Sequence, residues 1–274
     1  MNRDRRALLK SAGALALGAA AAPAAAATTP PSTAALTAAG LDPLATYRRM
    51  FASAANGAEV LWWYFGFQPI DVPDVGPVAT GQVATLMGYL TEDQGRDAVA
   101  IHWREVGAFR DIATGAAATP WPNPITGGVD QRRPGMEDGP GKYTVRKSGS
   151  GIAVALDQAR ATVKDVRIDA TVVGDRVCLT QNEDKERTFG GNTQAIRTTL
   201  KIYASLADLR GDAADVPARG FYSVLLPATG KYSVTGIMEK TAMDEKRDPV
   251  AWERMKAAYP GYFKGDRFAP DWKR

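Results

Sequence analysis

The sequence predicts a mainly β protein: an antiparallel barrel-like or sandwich sheet of about eight or nine strands, with an N-terminal and a C-terminal helix packed outside. Three observations carry that reading. Runs dense in aromatic and β-branched residues recur at hairpin spacing between residues 59 and 239. Turn formers separate them, as in Thr91-Glu92-Asp93-Gln94-Gly95, Gly190-Gly191-Asn192 and Pro227-Ala228-Thr229-Gly230. Nothing between the strands is long enough for a crossover helix, which disfavours a parallel α/β arrangement.

The first element is an address. Arg5 and Arg6 lie side by side, Leu8, Leu9 and Lys10 follow, and an uncharged Ala/Gly-rich run extends from Ala12 to about Ala22. This resembles a bacterial twin-arginine export signal, with Asp4 and Leu8 departing from its usual pattern. The run is too short and too poor in Leu and Ile to span a membrane, which takes about 20 strongly apolar residues. Ala25-Ala26-Ala27 offers a small-x-small cleavage site, so residues 1–27 are expected to be removed and the mature protein to reside in the periplasm. An uncleaved anchor is the alternative. The resemblance implies two partners in delivery, the twin-arginine export machinery and signal peptidase, and passage across the membrane in the folded state.

Removing the leader changes the charge. It holds Arg3, Arg5, Arg6 and Lys10 against Asp4, so the formal +4 of the chain falls to about +1. No Lys/Arg run marks a nucleic-acid footprint, and the charged segments 183–187 and 244–247 mix both signs, as solvated loops or turns do. The single cysteine, Cys178, has no partner for an internal disulfide and lies in an apolar strand-like run. Stability must then come from the core.

Residues 28–40 have the composition of a flexible leader, and a single β-rich domain is expected over 41–274. Asp42-Pro43 joins an N-cap residue to proline at the first helical position, and Leu44, Tyr47, Met50, Phe51 and Ala54 recur at helical spacing until Asn56-Gly57. Strand-like runs then cover 59–67, 82–90, 98–109, 142–147, 162–168, 171–180, 194–203, 220–226 and 232–239. A short helix is predicted over 205–209, and Asp248-Pro249 opens another that Tyr259-Pro260-Gly261 ends. Tyr262, Phe263, Phe268 and Trp272 make the tail too aromatic for a free end, so it should pack on the sheet or cover a barrel mouth.

The densest polar constellation is 101–111. In a single strand Val99, Ile101, Trp103, Glu105, Gly107 and Phe109 share a face, which puts the Glu105 carboxylate on an apolar stripe. Burying it without a partner costs several kcal/mol or raises its pKa. A buried ion pair, or a bulge that turns Glu105 outward, is the plainer reading; a ligand-binding or catalytic carboxylate is the functional one. His102 is the only histidine and points away with Arg104, which rules out sites built on two or three imidazoles, and no Gly-x-Ser-x-Gly elbow accompanies it.

Beyond the strand come Asp111 to Thr114-Gly115, then Trp121 and Asn123-Pro124 to Thr126-Gly127. In both stretches Asp or Asn can cap its own turn while glycine accepts positive φ. Alternatively Trp121 and Asn123, stiffened by three prolines, form a rim that stacks on a ligand. The order Glu105, Asp111, Thr114-Gly115, Trp121, Asn123-Pro124, Thr126-Gly127, behind the leader and the aromatic run 57–66, resembles the DUF1838 family of bacterial proteins. The likeness implies no catalytic residue, since that family is defined as a domain of unknown function.

Nucleotide, haem, Cys-x-x-Cys and EF-hand motifs are absent, so no cofactor and no metal are expected. The first expectation for function is a small-molecule binder, its partly apolar ligand held in a barrel cavity by Trp63 (or Trp62), Trp103 and Glu105, with Trp121 and Asn123 at the mouth. The second is a cofactor-free isomerase, lyase or hydrolase using Glu105 or Asp111 as acid or base, with Arg104 or Arg110 fixing an anionic substrate. A partner-binding structural module is the third.

Overall fold

A computed structural model describes residues 32–72, 74–117, 121–122, 129–130, 135–189, 192–225, 233–241, 247–264 and 267–268. Twelve strands follow one another: β1 (Glu59–Val72), β2 (Gly76–Asp93), β3 (Ala98–Arg110), β4 (Trp121–Pro122), β5 (Val129–Asp130), β6 (Gly135–Ser148), β7 (Gly151–Gln158), β8 (Thr162–Val173), β9 (Arg176–Phe189), β10 (Asn192–Ser205), β11 (Arg219–Leu225) and β12 (Ser233–Thr241). The helices are short: α1 (Ala34–Ala38), α2 (Pro43–Phe51), α3 (Leu206–Arg210), α4 (Pro249–Ala258) and α5 (Pro260–Phe263).

Ten strands form one antiparallel sheet in the order β7-β6-β3-β2-β1-β12-β11-β10-β9-β8, and β4 with β5 makes a separate two-stranded ribbon. The main sheet therefore holds ten strands, not eight or nine. The difference is β7, and the boundary between β8 and β9 falls at Gly174-Asp175, where the sequence reading ran one strand through the turn. Its two edges, β7 and β8, are consecutive in sequence and come alongside each other, so the sheet curls into a nearly closed barrel.

The seam between those edges is bridged by the segment just before α1. Ser32 O accepts from Ala170 N of β8 at 3.0 Å, Ser32 N donates to Asp169 Oδ1 at 2.7 Å, and Thr33 Oγ1 accepts from Ile152 N of β7 at 3.1 Å. From Ser32 onward the expected flexible leader is thus ordered. Leu36 and Thr33 are buried there, which anchors α1 against the sheet.

Alternation along the strands sorts side chains between an inner and an outer face. Inside, Val60, Trp62 and Tyr64 of β1 join Tyr89, Val99, Ile101, Trp103, Tyr143, Leu179, Leu200 and Ile202 in one core. Asp42 caps α2 by accepting from Ala45 N, and the helix lies across one end of the barrel with Tyr47, Met50 and Phe51 added to this interior cluster. Phe51 meets Tyr89 and Tyr143 edge-on, with ring centroids 5.6 and 5.8 Å apart. The N-terminal helix therefore closes the barrel rather than packing outside it, because its apolar stripe is matched by inward aromatic rings. Each such fully buried side chain contributes about 1.5–3 kcal/mol.

The C-terminal helices do lie outside. Ala251, Trp252, Met255 and Tyr262 cover a second cluster formed by Leu61, Trp63, Ala84, Leu86, Val106 and Ala108 on the outer faces of β1–β3. Asp248 caps α4 by accepting from Ala251 N, as the Asp-Pro start predicts. Trp272 lies outside the described residues. Among the described residues no helix is long and apolar enough to cross a membrane.

Candidate functional site

The barrel interior is not filled. Beyond the plug made by α2 lies a chamber of about 380 Å³, lined by Tyr64, Thr85, Met87, Tyr89, Trp103, Glu105, Asp138, Tyr143, Gln158, Glu183, Lys185, Arg187 and Tyr222, among others. Glu105 and Trp103 reach it because β3 alternates without interruption from Val99 to Phe109. A bulge does occur opposite Arg104, but on the partner strand. Trp103 faces Gly141 and Glu105 faces Asp138, so β6 spends one extra residue over that interval. Gly139, at φ +93°, makes this detour. As a result Asp138 before the bulge and Tyr143 after it, of opposite parity, both face the chamber.

Among the described residues three carboxylates enter the interior, and two are matched. Glu183 accepts from Tyr143 Oη at 2.7 Å, Gln181 Nε2 at 2.7 Å and Lys185 Nζ at 2.8 Å. Tyr47 of the plug helix donates to Gln181 Oε1 at 2.7 Å, which ties α2 to the same network. Asp138 accepts from Arg187 at 3.0 Å, from Gln158 Nε2 at 3.2 Å and from Gly139 N at 2.8 Å. Such charge-assisted contacts stabilise ionised acids inside a protein.

Glu105 has no cation within ion-pair distance among the described residues. Burial pushes its carboxyl up to about 7; the Thr85 hydroxyl beside it, and Lys185 and Arg187 beyond, pull the other way, while the cross-strand Asp138 adds to the rise. Thr85 Oγ1 is buried and meets no partner at hydrogen-bonding geometry, so it is close to the carboxyl but poorly aligned. Tyr64, Tyr89 and Tyr222 surround the acid. Their phenols are raised, chiefly by burial and further by the charge on Glu105. Tyr64 and Tyr89 share a hydrogen bond at 3.1 Å, and Tyr64 packs edge-on to Tyr222 at 5.0 Å.

The structure brings Glu105 and Trp103 together and places Trp63, Arg104, Arg110 and Asp111 elsewhere. Trp63 is one residue out of phase with Trp62, so it points outward, stacking on Phe65 at 5.5 Å beneath α4. Trp62 faces inward, and its Nε1 donates to Phe51 O at 2.9 Å. Arg104 is buried on the outer face, where its carbonyl accepts from Tyr262 Oη at 3.2 Å. Asp111 stands past the end of β3, outside the chamber lining, and its Oδ1 accepts from Ala113 N, Thr114 N and Thr114 Oγ1 as a turn cap. Arg110 is paired with Asp248 at the start of α4. The backbone of Trp121 pairs with Asp130, its side chain is outside the described part, and Asn123 lies outside the described residues.

Sequence reasoning missed Asp138, Gln158, Glu183, Lys185, Arg187 and Tyr222. Segment 183–187 is a strand whose odd positions face the chamber, not a solvated turn. Its alternate positions are polar as well, since the outward face carries Asp184 and Glu186, so no contrast marked the buried face. Among the described residues no group of three His, Cys, Asp or Glu side chains is arranged to hold a metal ion. Compared with known proteins, the chain matches no family model, no curated protein and no solved structure.

Proposed function

We propose that this chain is an exported protein that binds a small, partly apolar molecule inside its barrel. One observation carries the reading: Glu105 faces an unfilled, aromatic-walled chamber without a charged partner, while the neighbouring acids Asp138 and Glu183 each have one. A buried polar group lacking a partner costs free energy, and a bound molecule supplying that partner offsets it. The volume sits at the small end of ligand pockets, which run about 300–1,000 Å³. Export rests on the leader in the sequence.

Mass spectrometry of small molecules released from protein purified from its native periplasm tests this. A stoichiometric small molecule in the wild type, lost or depleted in Glu105→Gln, is the expected result. A wild-type protein that releases nothing and takes up no hydrophobic fluorescent probe overturns the reading. Acid–base catalysis is the second reading, favoured by a carboxyl poised near neutral pH. It requires that the released molecule be turned over, and Asp111 has no part in it.

A further inference from the structure

The charge ledger of the chamber narrows the class of molecule, on the reading that the chamber binds one. Lys185 is engaged by Glu183 at 2.8 Å and Arg187 by Asp138 at 3.0 Å, so both interior cations are neutralised. An anionic ligand finds no uncommitted cation among the described lining residues. The uncommitted group is an acid, Glu105, set among electron-rich rings: Tyr64, Tyr89, Tyr222 and Trp103. Other polar groups of the lining are unspent as well: Thr85 Oγ1, in a residue 2% exposed, Trp103 Nε1 and Gln158 Oε1 have no hydrogen bond, and Tyr222 Oη has none among the described residues. The Tyr222 phenol lies over Gly66, where a Cβ would overlap its hydroxyl, so glycine in β1 is what lets that ring reach the chamber.

A carboxylate in a chamber walled by aromatic rings suits one kind of guest. A cation there gains an ion pair and cation–π attraction together, both strengthened where water is excluded. We propose that the chamber binds an organic monocation, a protonated amine on an apolar body, with its ammonium group on Glu105 and its body against Tyr64, Tyr222 and Trp103. Thr85 and Tyr222 accept the remaining ammonium hydrogens through their hydroxyl oxygens. A neutral alcohol of the same shape brings one hydroxyl hydrogen where the ammonium brings three, and no charge to set against the carboxylate.

Calorimetric titration of the purified full chain at pH 8 with 2-phenylethylamine and with its neutral near-isostere 2-phenylethanol tests the class. The amine is expected to bind at least ~10-fold more tightly than the alcohol, the margin for one desolvated ion pair with cation–π support. In Glu105→Gln that preference should vanish while alcohol binding is retained. Equal binding of the two by the wild type overturns the amine assignment and leaves the ligand-binding reading standing. Binding of neither overturns both. The wild-type ratio carries the test even should Glu105→Gln fail to fold.

Discussion

Asp138 of β6 and Arg187 of β9 form an ion pair at 3.0 Å across the inside of the barrel seam, with the two edge strands β7 and β8 lying between them. Tyr143 and Glu183, from the same two strands, repeat the link at 2.7 Å. Side chains thus join what the backbone ladder leaves open.

The pair is therefore expected to be coupled in stability. Asp138→Asn and Arg187→Met should each destabilise the fold by ~1–3 kcal/mol, because each removes one half of a largely buried ion pair. The double variant should cost less than the sum of the two. Denaturant midpoints in a double-mutant cycle measure this; strict additivity would show that the pair does not close the seam.

Stability should also depend on pH through Glu105. Its carboxyl is raised from 4.5 to about 7, so the folded state holds the proton more tightly than the unfolded state. The group's contribution is complete below about pH 4.5 and lost as pH climbs through about 7. Tyr64, Tyr89 and Tyr222, which face it, are shifted upward and do not titrate in that window. The unfolding free energy of Glu105→Gln, from denaturant titrations at each pH, should accordingly gain on the wild type between pH 4.5 and 7, by about 3 kcal/mol at most, and then run level. Parallel profiles would place Glu105 in contact with bulk water.

Gly139→Ala should damage the site through the backbone. An alanine at φ +93° is strained, and its Cβ would come 3.0 Å from Trp103 O. A loss of about 1–3 kcal/mol is expected. If the bulge slips instead, Asp138 turns outward and the Arg187 pair is lost. A change in tryptophan near-ultraviolet dichroism, absent in a surface control such as Gly149→Asn, would report that slip.

Tryptophan fluorescence separates the two faces of the sheet. Because Trp103 borders the chamber and Trp63 lies beneath α4, a chamber ligand should alter emission in Trp63→Phe and have a much smaller effect in Trp103→Phe. The reverse pattern would put the ligand under the C-terminal helix.

Where the two faces of a strand differ chemically, the sequence was readable. β3 alternates Ile101, Trp103, Glu105 against His102, Arg104, Val106, and its interior acid is legible in the sequence alone. β7 was missed because Ile152, Val154 and Leu156 alternate with alanines, which leaves little contrast between its faces. The polar half of the chamber was illegible for two physical reasons. The second half of β9, residues 181–188, is hydrophilic on both faces, and the extra residue in β6 reverses the parity by which Asp138 would have been assigned. Trp63 was misplaced by a single step in a run where every residue is apolar or aromatic.

The first long strand of the sheet, β1, is bonded on one side to β2 and on the other to β12, whose residues 235–241 pair with 61–67. The sheet therefore lacks its neighbour on that side of β1 until the chain through residue 241 has emerged from the ribosome. Closure depends on contacts distant in sequence, the kind of topology that folds in milliseconds to seconds rather than microseconds. Until then the edge of β1 that β12 will occupy stands open along residues 61–67, and a chaperone acting on this chain would meet it there.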